Sequence, residues 1–355
     1  MLIFFSLSTE ALAGAKGAVL IDGKNGRVFF ELNKDEKLPM ASTTKIMTAL
    51  LTLEEENPDE YFTVSKSAIM VEGSSMGLLE GDKVTLRALA AGMLLASGND
   101  AANAAAVKIA GSVEAFVQLM NKRAEEMGLE STSFETPSGL DGENHYSTAY
   151  DMAILAKNAL ENPDFAAVCG AESLKMEYGN PPYPRWLTNH NRLLTSFEGA
   201  TGVKIGFTKK SGRCLVSSAE RDGVSLICVT LGCPDDWNYH TALYNEYFAK
   251  LSSVQLGNMV EKRYIPVCGG ISEKAAVSPV PVFASLFEGE SERIEVVISS
   301  EPFVFAPVKK GDILGKAYFY LDGFLLAETP LVAENSVDAV LPKENFRQKI
   351  KDFFE

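Results

Sequence analysis

The amino-acid sequence predicts an α/β (α+β) domain that contains a cluster of helices, followed by a small all-β domain. Strand-like segments stand at both ends of about the first 240 residues, and helical periodicity fills the middle, which indicates a layered unit. From Val254 onward the sequence changes to short β-branched runs interrupted by Gly and Pro, as in an all-β domain. The length of 355 residues is sufficient for two hydrophobic cores.

The first domain is predicted to open with a β-hairpin and to continue with a helix. Residues 18–21 and 27–30 are strand-like, and the segment 22–26 between them is rich in turn-forming Asp and Gly. From Ser42 onward apolar residues recur at helical spacing, and Ser42 is a suitable N-cap. The apolar stripe of this helix consists of Ile46, Met47, Leu50 and Leu51.

Further helices and strands complete the prediction for the two domains. Gly128 is a stop signal for one helix, and Thr148 with Asp151 forms a capping box at the start of another. The predicted helices cover residues 86–95, 100–110, 113–127, 149–159 and 240–251. The predicted strands cover residues 215–219 and 224–230 in the first domain and 294–298, 316–321 and 324–328 in the second.

The two termini are predicted to lie outside these domains, which we place at residues 16–253 and 254–338. Residues 1–15 combine an apolar segment with an Ala-Leu-Ala site, and we interpret them as the remnant of a secretory signal without its basic start; the alternative is an ordinary first strand. No apolar run of the roughly 18 residues that a membrane helix needs follows.

Residues 339–355 form an amphipathic tail in this prediction. One interpretation of its apolar face is a peripheral contact with a membrane surface. The mixed charges on its polar face favour the other interpretation, a helix that packs on its own protein or frays. The apolar face consists of Phe346, Ile350, Phe353 and Phe354.

The composition argues against nucleic acid as a partner and against a metal or disulfide framework. The chain has 33 Lys and Arg and 47 Asp and Glu, and its net charge of −14 repels a phosphate backbone. Five cysteines without a C-x-x-C pair and three dispersed histidines do not indicate a zinc site. We expect the cysteines to be core residues, since a free thiol packs as a small hydrophobe. They are Cys169, Cys214, Cys228, Cys233 and Cys268.

Ser42 and Lys45 are the first candidates for chemistry. They lie three residues apart in a predicted helix, so the two side chains share a face and the amine can reach the hydroxyl. A serine becomes a nucleophile when a base takes its proton, and a lysine serves as that base when burial or a second cation lowers its pKa. The plain interpretation of the same S-x-x-K pattern is a capped, solvated helix start.

Two further segments contain residues that could face a cleft. Ser97-Gly98-Asn99 lies between two predicted helices, where its glycine permits a tight turn; alone it is an ordinary helix connection. Lys204-Ile205-Gly206 opens a predicted strand, where its glycine allows a substrate backbone to approach the strand edge and its lysine supplies a positive charge. Alone this triplet is also unremarkable.

The order and spacing of the three segments, S-x-x-K, then S-x-N, then K-T-G, is typical of penicillin-interacting serine acyltransferases. Together with residues 38–48, 94–102, 146–152 and 206–216, they resemble the D-alanyl-D-alanine carboxypeptidases, the low-molecular-mass penicillin-binding proteins of peptidase family S11. The resemblance covers residues 16–251 and continues more weakly into the family's C-terminal β domain. It implies a serine β-lactamase/transpeptidase-like fold with a helical subdomain, followed by a small all-β sandwich.

The resemblance implies three catalytic residues. Ser42 attacks the carbonyl of the penultimate D-alanine, and Lys45 accepts its proton as general base. Ser97 relays a proton to the leaving D-alanine. Water then hydrolyses the ester on Ser42, and the reaction needs no metal and no cofactor.

The resemblance also implies a set of substrate-binding residues. Asn99 holds the substrate amide, and Lys204 supplies a positive potential that also disfavours a second ammonium at Lys45. The main-chain N–H groups of Ser42 and Phe207 hold the oxyanion. Gly206 and Thr208 complete the set.

Ile205 departs from the family pattern. The family has Thr at this position, whose hydroxyl would donate a hydrogen bond to the terminal carboxylate of the substrate. Loss of such a bond would cost about 1.5–3 kcal/mol, or roughly 10- to 150-fold in efficiency. The hydroxyl of Thr208, the guanidinium of Arg213 or another cation could bind the carboxylate in place of the missing Thr.

Three alternatives to a carboxypeptidase stay open at this point. Ile205 keeps a catalytically weakened penicillin- or wall-binding protein in view. A β-lactamase shares the serine, lysine and strand lysine but gives no reason for a second β domain. A Ser–His–Asp hydrolase would use His145, His190 or His240, but no G-x-S-x-G segment accompanies them, and we expect His145 and His190 to form ordinary hydrogen bonds near the surface.

The partners and the location follow from the same resemblance. The substrate would be a peptidoglycan stem peptide that ends in D-Ala-D-Ala, and β-lactam antibiotics would acylate the same serine. Such a protein acts outside the cytoplasm, secreted or attached to the outer face of the cytoplasmic membrane, in cell-wall biogenesis and the maintenance of cell shape.

Overall fold

The computed structural model describes residues 14–340, 350–351 and 353–354 of the protein. These residues form two compact units, divided between Lys250 and Leu251. The predicted signal remnant therefore falls almost wholly outside the described residues, as does most of the tail, of which Ile350, Phe353 and Phe354 are exposed. Within the described part of the chain, no helix is long and apolar enough to cross a membrane.

A five-stranded antiparallel sheet is the centre of the first unit. The strands of this unit are β1 (Gly17–Asp22), β2 (Val28–Leu32), β3 (Phe62–Thr63), β4 (Lys83–Val84), β5 (Ser173–Gly179), β6 (Pro182–Thr188), β7 (Ala200–Thr208), β8 (Gly212–Arg221) and β9 (Val224–Leu231). The central sheet has the order β2-β1-β9-β8-β7, which confirms the predicted N-terminal hairpin and makes β7 an edge strand. β9 is a nearly continuous apolar run because both of its faces are covered.

Helices cover both faces of this sheet. The helices of the first unit are α1 (Lys45–Leu53), α2 (Lys66–Ile69), α3 (Leu86–Leu94), α4 (Asn99–Ala110), α5 (Val113–Glu126), α6 (Ala149–Leu160), α7 (Pro163–Cys169), α8 (Leu193–Ser196) and α9 (Asp236–Phe248). α6 packs against β1 and β9, and α9 packs against β8 and β9. The two helices use opposite faces of β9, since Val229 belongs to the helical core whereas Thr230 bonds to His240 of α9. The predicted α/β layering is confirmed.

Local signals explain where several helices begin and end. The hydroxyl of Thr148 accepts a hydrogen bond from the N–H of Asp151 at 3.0 Å, which is the predicted cap of α6. Gly128 follows α5 with a φ of +70°, as a helix stop requires. The Ser42 cap, however, is wrong: Ser42 lies in a 3₁₀ turn, Ala41–Thr44, and α1 begins at Lys45 without a side-chain cap.

The turn at Ser97 also differs from the prediction. Ser97 has the positive φ of 58°, whereas Gly98 has an ordinary φ of −60°. A Cβ on Gly98 would lie 2.7 Å from the Asp100 carboxylate and 3.0 Å from the Met76 nitrogen. The glycine therefore provides space for a neighbouring loop, and the serine accepts the strained backbone.

The first unit has a small second sheet that was not predicted from the sequence. It has the order β3-β4-β5-β6, and its main part is the hairpin of β5 and β6. Proline stands at positions 181, 182 and 184 of the sequence, which weakens any strand signal there. The aromatic ring of Tyr178 in β5 is buried, and its hydroxyl donates to the carbonyl oxygen of Met76 at 2.8 Å.

The second unit is built from strands, as predicted. They are β10 (Leu251–Gln255), β11 (Arg263–Cys268), β12 (Lys274–Pro279), β13 (Phe283–Phe287), β14 (Ile294–Ser300), β15 (Val304–Phe305), β16 (Ile313–Leu321) and β17 (Phe324–Ala333). A two-stranded sheet, β10-β13, shares a core with a six-stranded sheet of order β14-β16-β17-β12-β11-β15. Phe319, Leu286 and Leu331 are among the buried residues of that core.

Four of the five cysteines are core residues, as expected, and the fifth is an exception. Cys268 is exposed. In β11 the side chains alternate, and Ile265 and Val267 occupy the inward positions. The next residue therefore points outward, and the expectation of a buried thiol is wrong at this position.

Candidate active site

Ser42 lies in a tight turn immediately before α1. Ala41, the residue before it, has a φ of +50°, and the hydroxyl of Thr43 donates to the carbonyl oxygen of Met40 at 2.6 Å. Lys45 follows one turn later as the first residue of α1. The side chain of Ser42 is thus held, half-buried, on the same face as the lysine.

The amine of Lys45 has three hydrogen-bond partners and no exposure to solvent. Its Nζ lies 2.9 Å from Oγ of Ser42, 2.7 Å from Oδ1 of Asn99 and 2.6 Å from the carbonyl oxygen of Ser138. The amide of Asn99 is oriented by its Nδ2, which donates to the carbonyl oxygen of Glu72 at 2.6 Å. In the sequence these partners lie up to 93 positions from Lys45, and the fold brings them within hydrogen-bond distance of its Nζ.

This set of partners suits an unprotonated amine. Two of the partners are carbonyl oxygens, which only accept, and the third is a hydroxyl, which can donate. A neutral amine donates its two N–H bonds to Asn99 and Ser138 and directs its lone pair at the proton of Ser42. Burial, and after it the charge of Lys204, hold the pKa of Lys45 well below 10.5, while Asp100 acts in the opposite direction.

A second amine–hydroxyl pair lies beside the first. Lys204, in the middle of β7, donates to Oγ of Ser97 at 3.1 Å and to the carbonyl oxygen of Ile205 at 2.9 Å. Both Lys204 and Ser97 are buried. Burial lowers the pKa of Lys204 to about 7, so its amine changes between the charged and the neutral form near neutral pH.

Asp100 fixes the loop that supports Asn99. Its carboxylate accepts hydrogen bonds from the N–H groups of Met76 at 2.9 Å, Gly77 at 3.1 Å and Leu78 at 3.0 Å. It also accepts from the hydroxyl of Ser75 at 2.6 Å. The start of α4 and the loop are therefore tied together by one buried charge.

Two glycines allow the turn of Ser42 to be enclosed on both sides. A Cβ on Gly206 of β7 would lie 3.0 Å from the main-chain nitrogen of Ser42. A Cβ on Gly139, which has a φ of +86°, would lie 2.0 Å from the carbonyl oxygen of Ala41. Side chains at either position would push their segments away from the serine.

The sequence comparisons decide the family once this geometry is known. The profile of the D-alanyl-D-alanine carboxypeptidases of the peptidase S11 family matches residues 6–235. The chain belongs to this family. The predicted resemblance is confirmed, and the chain is a hydrolase and a penicillin-binding protein. The profile of the C-terminal domain of penicillin-binding protein 5 matches residues 258–339, which agrees with the all-β second unit.

Individual S11 relatives match most of the chain. The D-alanyl-D-alanine carboxypeptidase DacF of Bacillus subtilis is 34% identical over 345 residues, covering 93% of this chain and 87% of the relative. DacC of Escherichia coli is 32% identical, covering 91% and 84%. Among solved structures, penicillin-binding protein 5 of Haemophilus influenzae superimposes with a TM-score of 0.70 at 28% identity, covering 91% of this chain and 97% of that one.

The remaining residues assigned from the S11 resemblance lie on β7 toward the cleft edge. Phe207 is 66% exposed, and it directly follows the glycine that packs on Ser42. The hydroxyl of Thr208 already has two hydrogen-bond partners, since it donates to Asp141 at 3.0 Å and also bonds to Ser211 at 2.9 Å. Thr208 is thus tied to the loop that follows Gly139.

Ile205 lies on the face of β7 opposite to Lys204 and Gly206. It pairs with Leu215 of β8, and Ser217, two residues on, bonds to His240 of α9. Alternation along the strands places Ile205 on the face that α9 covers. Arg213, on that same face, forms an ion pair with Asp236 at 2.6 Å and is therefore already neutralised.

The histidines do not support a Ser–His–Asp site. His240 bonds to Ser217 and Thr230, but all three side chains are fully buried and burial lowers the pKa of His240 to about 3. His145 is also buried, so the expectation of a near-surface role is wrong for it: its Nδ1 accepts from the N–H of Glu135, and its Nε2 bonds to Thr44. His190 is exposed, as expected.

Two contributors to the site were missed from the sequence. Ser138 contributes a carbonyl oxygen, for which the residue type gives no signal. Asp100 follows the S-x-N segment directly and stands in the first turn of α4, so its position next to the motif was an available signal.

Proposed function

We propose that the protein is a serine D-Ala-D-Ala carboxypeptidase that removes the terminal D-alanine of peptidoglycan stem pentapeptides through an acyl-enzyme on Ser42. The observation that supports this most strongly is the Lys45 amine, enclosed by two carbonyl oxygens and the Ser42 hydroxyl. Penicillins acylate the same hydroxyl in this proposal, as the family's name indicates.

The acylation step begins with transfer of the Ser42 proton to the lone pair of Lys45. The freed oxygen attacks the carbonyl carbon of the penultimate D-alanine, and the charge that develops on the carbonyl oxygen is held by the N–H groups of Ser42 and Phe207. The close packing of Gly206 on the Ser42 nitrogen supports this pairing of donors from two segments. The peptide bond then breaks, and an ester on Ser42 remains.

The leaving D-alanine needs a proton on its amine. Ser97 is suited to relay it, because its hydroxyl bonds to Lys204 and Lys204 has a pKa near neutrality. Lys204 in turn supplies the positive potential that attracts the substrate's carboxylate. Asn99 can hold the substrate amide through the same side chain that orients Lys45.

The substrate binds along the edge of β7 in this proposal. In the central sheet the outer edge of β7 carries no further strand within the described residues. An extended peptide can pair with such an edge through its main chain. Gly206 and Thr208 would line this edge on the side of Ser42, and water that enters after D-alanine has left would hydrolyse the ester.

Ile205 is the observation that favours the second candidate, a penicillin-binding protein with weakened turnover. Neither a hydroxyl at 205 nor a free guanidinium at Arg213 is available for the substrate carboxylate. Acylation without release of D-alanine would identify this candidate. A β-lactamase would turn nitrocefin over rapidly.

The substrate fixes where such an enzyme works. Peptidoglycan stem peptides lie outside the cytoplasm, so we propose an extracytoplasmic, secreted location and a role in peptidoglycan biosynthesis, cell-wall biogenesis and cell shape. The exposed Phe353 and Phe354 are compatible with a peripheral membrane contact of the tail.

The test of this function is intact mass after incubation with penicillin, followed by mapping of the modified peptide. We expect one adduct on Ser42 and none on Ser42→Ala, together with release of D-alanine from a pentapeptide by the unmodified protein. An adduct that persists in Ser42→Ala would exclude Ser42 as the nucleophile.

A further inference from the structure

Asp141 is a carboxylate at the edge of the cleft that the proposed mechanism does not use. Its Oδ1 accepts a hydrogen bond from the hydroxyl of Thr208 at 3.0 Å. The residue is exposed, and within the described residues its Oδ2 has no hydrogen-bond partner and its carboxylate forms no ion pair. A carboxylate that is held by one oxygen and open to solvent at the other is suited to bind a cation.

The bond to Thr208 places this carboxylate on the Ser42 side of β7. Alternation along the strand puts Lys204, Gly206 and Thr208 on one face. The middle residue, Gly206, packs on the main-chain nitrogen of Ser42. Thr208 lies two residues further, about 7 Å along the strand. Asp141 therefore lies beside the cleft, beyond Ser42 as seen from Lys204.

The loop that carries Asp141 is anchored on both sides of this residue. On one side the carbonyl oxygen of Ser138 accepts from Lys45 at 2.6 Å. On the other side the carbonyl oxygen of Gly142 accepts from the amine of Lys210 at 2.8 Å. Because these bonds restrain the main chain, the carboxylate loses little conformational entropy when it binds a ligand.

The proposed reaction sets the direction of the substrate along β7. The leaving D-alanine lies at Ser97, whose hydroxyl accepts from Lys204 at 3.1 Å. The scissile carbonyl lies at the N–H groups of Ser42 and Phe207. The residue before the two D-alanines is on the acyl side of that carbonyl, so in an extended peptide it lies further along the strand, opposite Thr208. A long side chain on this residue then reaches the carboxylate.

We propose that Asp141 selects substrates whose third stem residue carries a free cationic side chain, an inference that rests on the carboxypeptidase function proposed above. The group that it binds is a primary ammonium at the end of an extended side chain, as in a diamino acid. A peptide in which that amine is acylated has no positive charge and loses the pairing. The enzyme therefore favours stem peptides with a free third-residue amine over those in which this amine is acylated.

Release of D-alanine from two pentapeptides tests this selectivity. Both peptides have lysine at the third position, one with a free ε-amine and the other with an acetylated one. For the unmodified protein we expect kcat/KM to be about three- to fivefold higher with the free amine, as for an exposed ion pair, and the two values to converge as salt is added.

Asp141→Asn removes the charge and keeps an oxygen that accepts from Thr208. We expect this variant to release D-alanine from the acetylated peptide at the rate of the unmodified protein. Its preference for the free amine should disappear, because the attraction depends on the charge. A loss of activity on both peptides alike would assign Asp141 a structural role and overturn the selectivity.

Glu143→Gln is the matched control. Glu143 is an exposed acid two residues further in the same loop, and within the described residues it has no hydrogen bond to β7. The variant removes the same charge, so we expect it to keep most of the preference. An equal loss of preference in Glu143→Gln and Asp141→Asn would assign the effect to the general charge of the loop and overturn the role of Asp141.

The outcomes separate this inference from the proposed function. Equal kcat/KM values for the two peptides in the unmodified protein, or a preference that persists in Asp141→Asn, would overturn the selectivity and leave the carboxypeptidase function intact. If Asp141→Asn does not fold, the salt series on the unmodified protein decides, because a preference that does not weaken with salt is not an exposed ion pair. Absence of D-alanine release from both peptides would instead overturn the proposed function.

Discussion

The amine of Lys204 donates a 3.1 Å hydrogen bond to Oγ of Ser97, a residue 107 positions earlier in the chain. This pair lies beside the pair of Lys45 and Ser42, so the site contains two buried amines, each next to a hydroxyl. Two ammonium groups in one buried site repel each other, and each therefore favours the neutral form of the other. For this reason the protonation state of Lys45 depends on the charge of Lys204.

Substitution of Lys204 should shift the pH dependence of acylation. In Lys204→Met the positive charge that disfavours protonation of Lys45 is lost, so the pKa of Lys45 rises. The base is then neutral only at higher pH, and the acid limb of the acylation rate moves to higher pH. We would measure the second-order acylation rate with a fluorescent penicillin at a series of pH values.

Lys210→Met is the control for this shift. Lys210 is exposed, and its amine donates to the carbonyl oxygen of Gly142 in the loop after Ser138. Solvent screens its charge, so its removal should leave the acid limb in place. An acid limb that is unchanged in Lys204→Met would show that the two buried amines are not coupled.

Substitution of Asp100 should move the same limb in the opposite direction and also reduce stability. In Asp100→Asn the negative charge that favours protonation of Lys45 is lost, so the pKa of Lys45 falls and acylation extends to lower pH. The amide also places N–H donors against the N–H groups of the loop, at a cost of about 1–3 kcal/mol. Urea denaturation gives the stability and the acylation profile gives the limb.

Lys204→Met and Asp100→Asn should move the acid limb of the acylation rate in opposite directions, which makes the pair of variants informative. A purely structural effect of Asp100→Asn would lower the stability and the acylation rate at every pH equally. A limb that moves toward higher pH, as in Lys204→Met, would contradict the electrostatic argument.

The order of elements and the contact between Ser42 and Lys45 were predictable because they are encoded locally. Helical spacing, the Thr148 capping box and the Gly128 stop predicted α5 and α6 to within one or two residues. The S-x-x-K spacing predicted that Lys45 and Ser42 lie within reach of each other, since both lie within one helical turn. The order of the three motifs then predicted that Ser97 and Lys204 lie at the same site.

The contributions that were missed arise from main-chain atoms and from long-range packing. The carbonyl of Ser138 bonds to Lys45, and any residue type supplies a carbonyl. The burial of His145 depends on a partner, Thr44, that is 101 positions away. The mistaken Ser42 cap has a local cause, because the Ser42 hydroxyl bonds to the side chain of Lys45 where a cap would have bonded to the backbone.

The buried histidines should make the protein less stable in mild acid. Burial lowers the pKa of His145 to about 4 and that of His240 to about 3, against 6.5 in the unfolded chain. Between these values and 6.5 the unfolded chain binds more protons, so stability falls as the pH falls through this window. Each histidine should cost about 2 kcal/mol between pH 7 and pH 5.

His145→Gln tests this linkage by urea denaturation at the two pH values. The variant is less stable at pH 7, but its loss between pH 7 and pH 5 should be smaller than that of the unmodified protein by about 2 kcal/mol. His190→Gln, which changes an exposed histidine, should keep nearly the full loss. Equal pH-dependent losses in His145→Gln and the unmodified protein would contradict a neutral, buried His145.

Ile205→Thr should raise the efficiency of the proposed reaction. The substitution restores the hydroxyl that the resemblance to the S11 family implies at this position of β7, and a hydrogen bond to a charged group contributes about 1.5–3 kcal/mol. We therefore expect a gain of roughly 10- to 150-fold in kcat/KM for D-alanine release from a pentapeptide.

Ile205→Val separates the hydroxyl from the change in size, because valine and threonine have nearly the same shape. A gain in the threonine variant alone would assign the carboxylate to position 205. The position of Ile205 on the face covered by α9 makes this a demanding test, since the hydroxyl must reach the outer edge of β7 to meet the substrate. Equal rates in the two variants would mean that another group binds the carboxylate, and Lys204, on the Ser42 side of β7, would then be the candidate for that role.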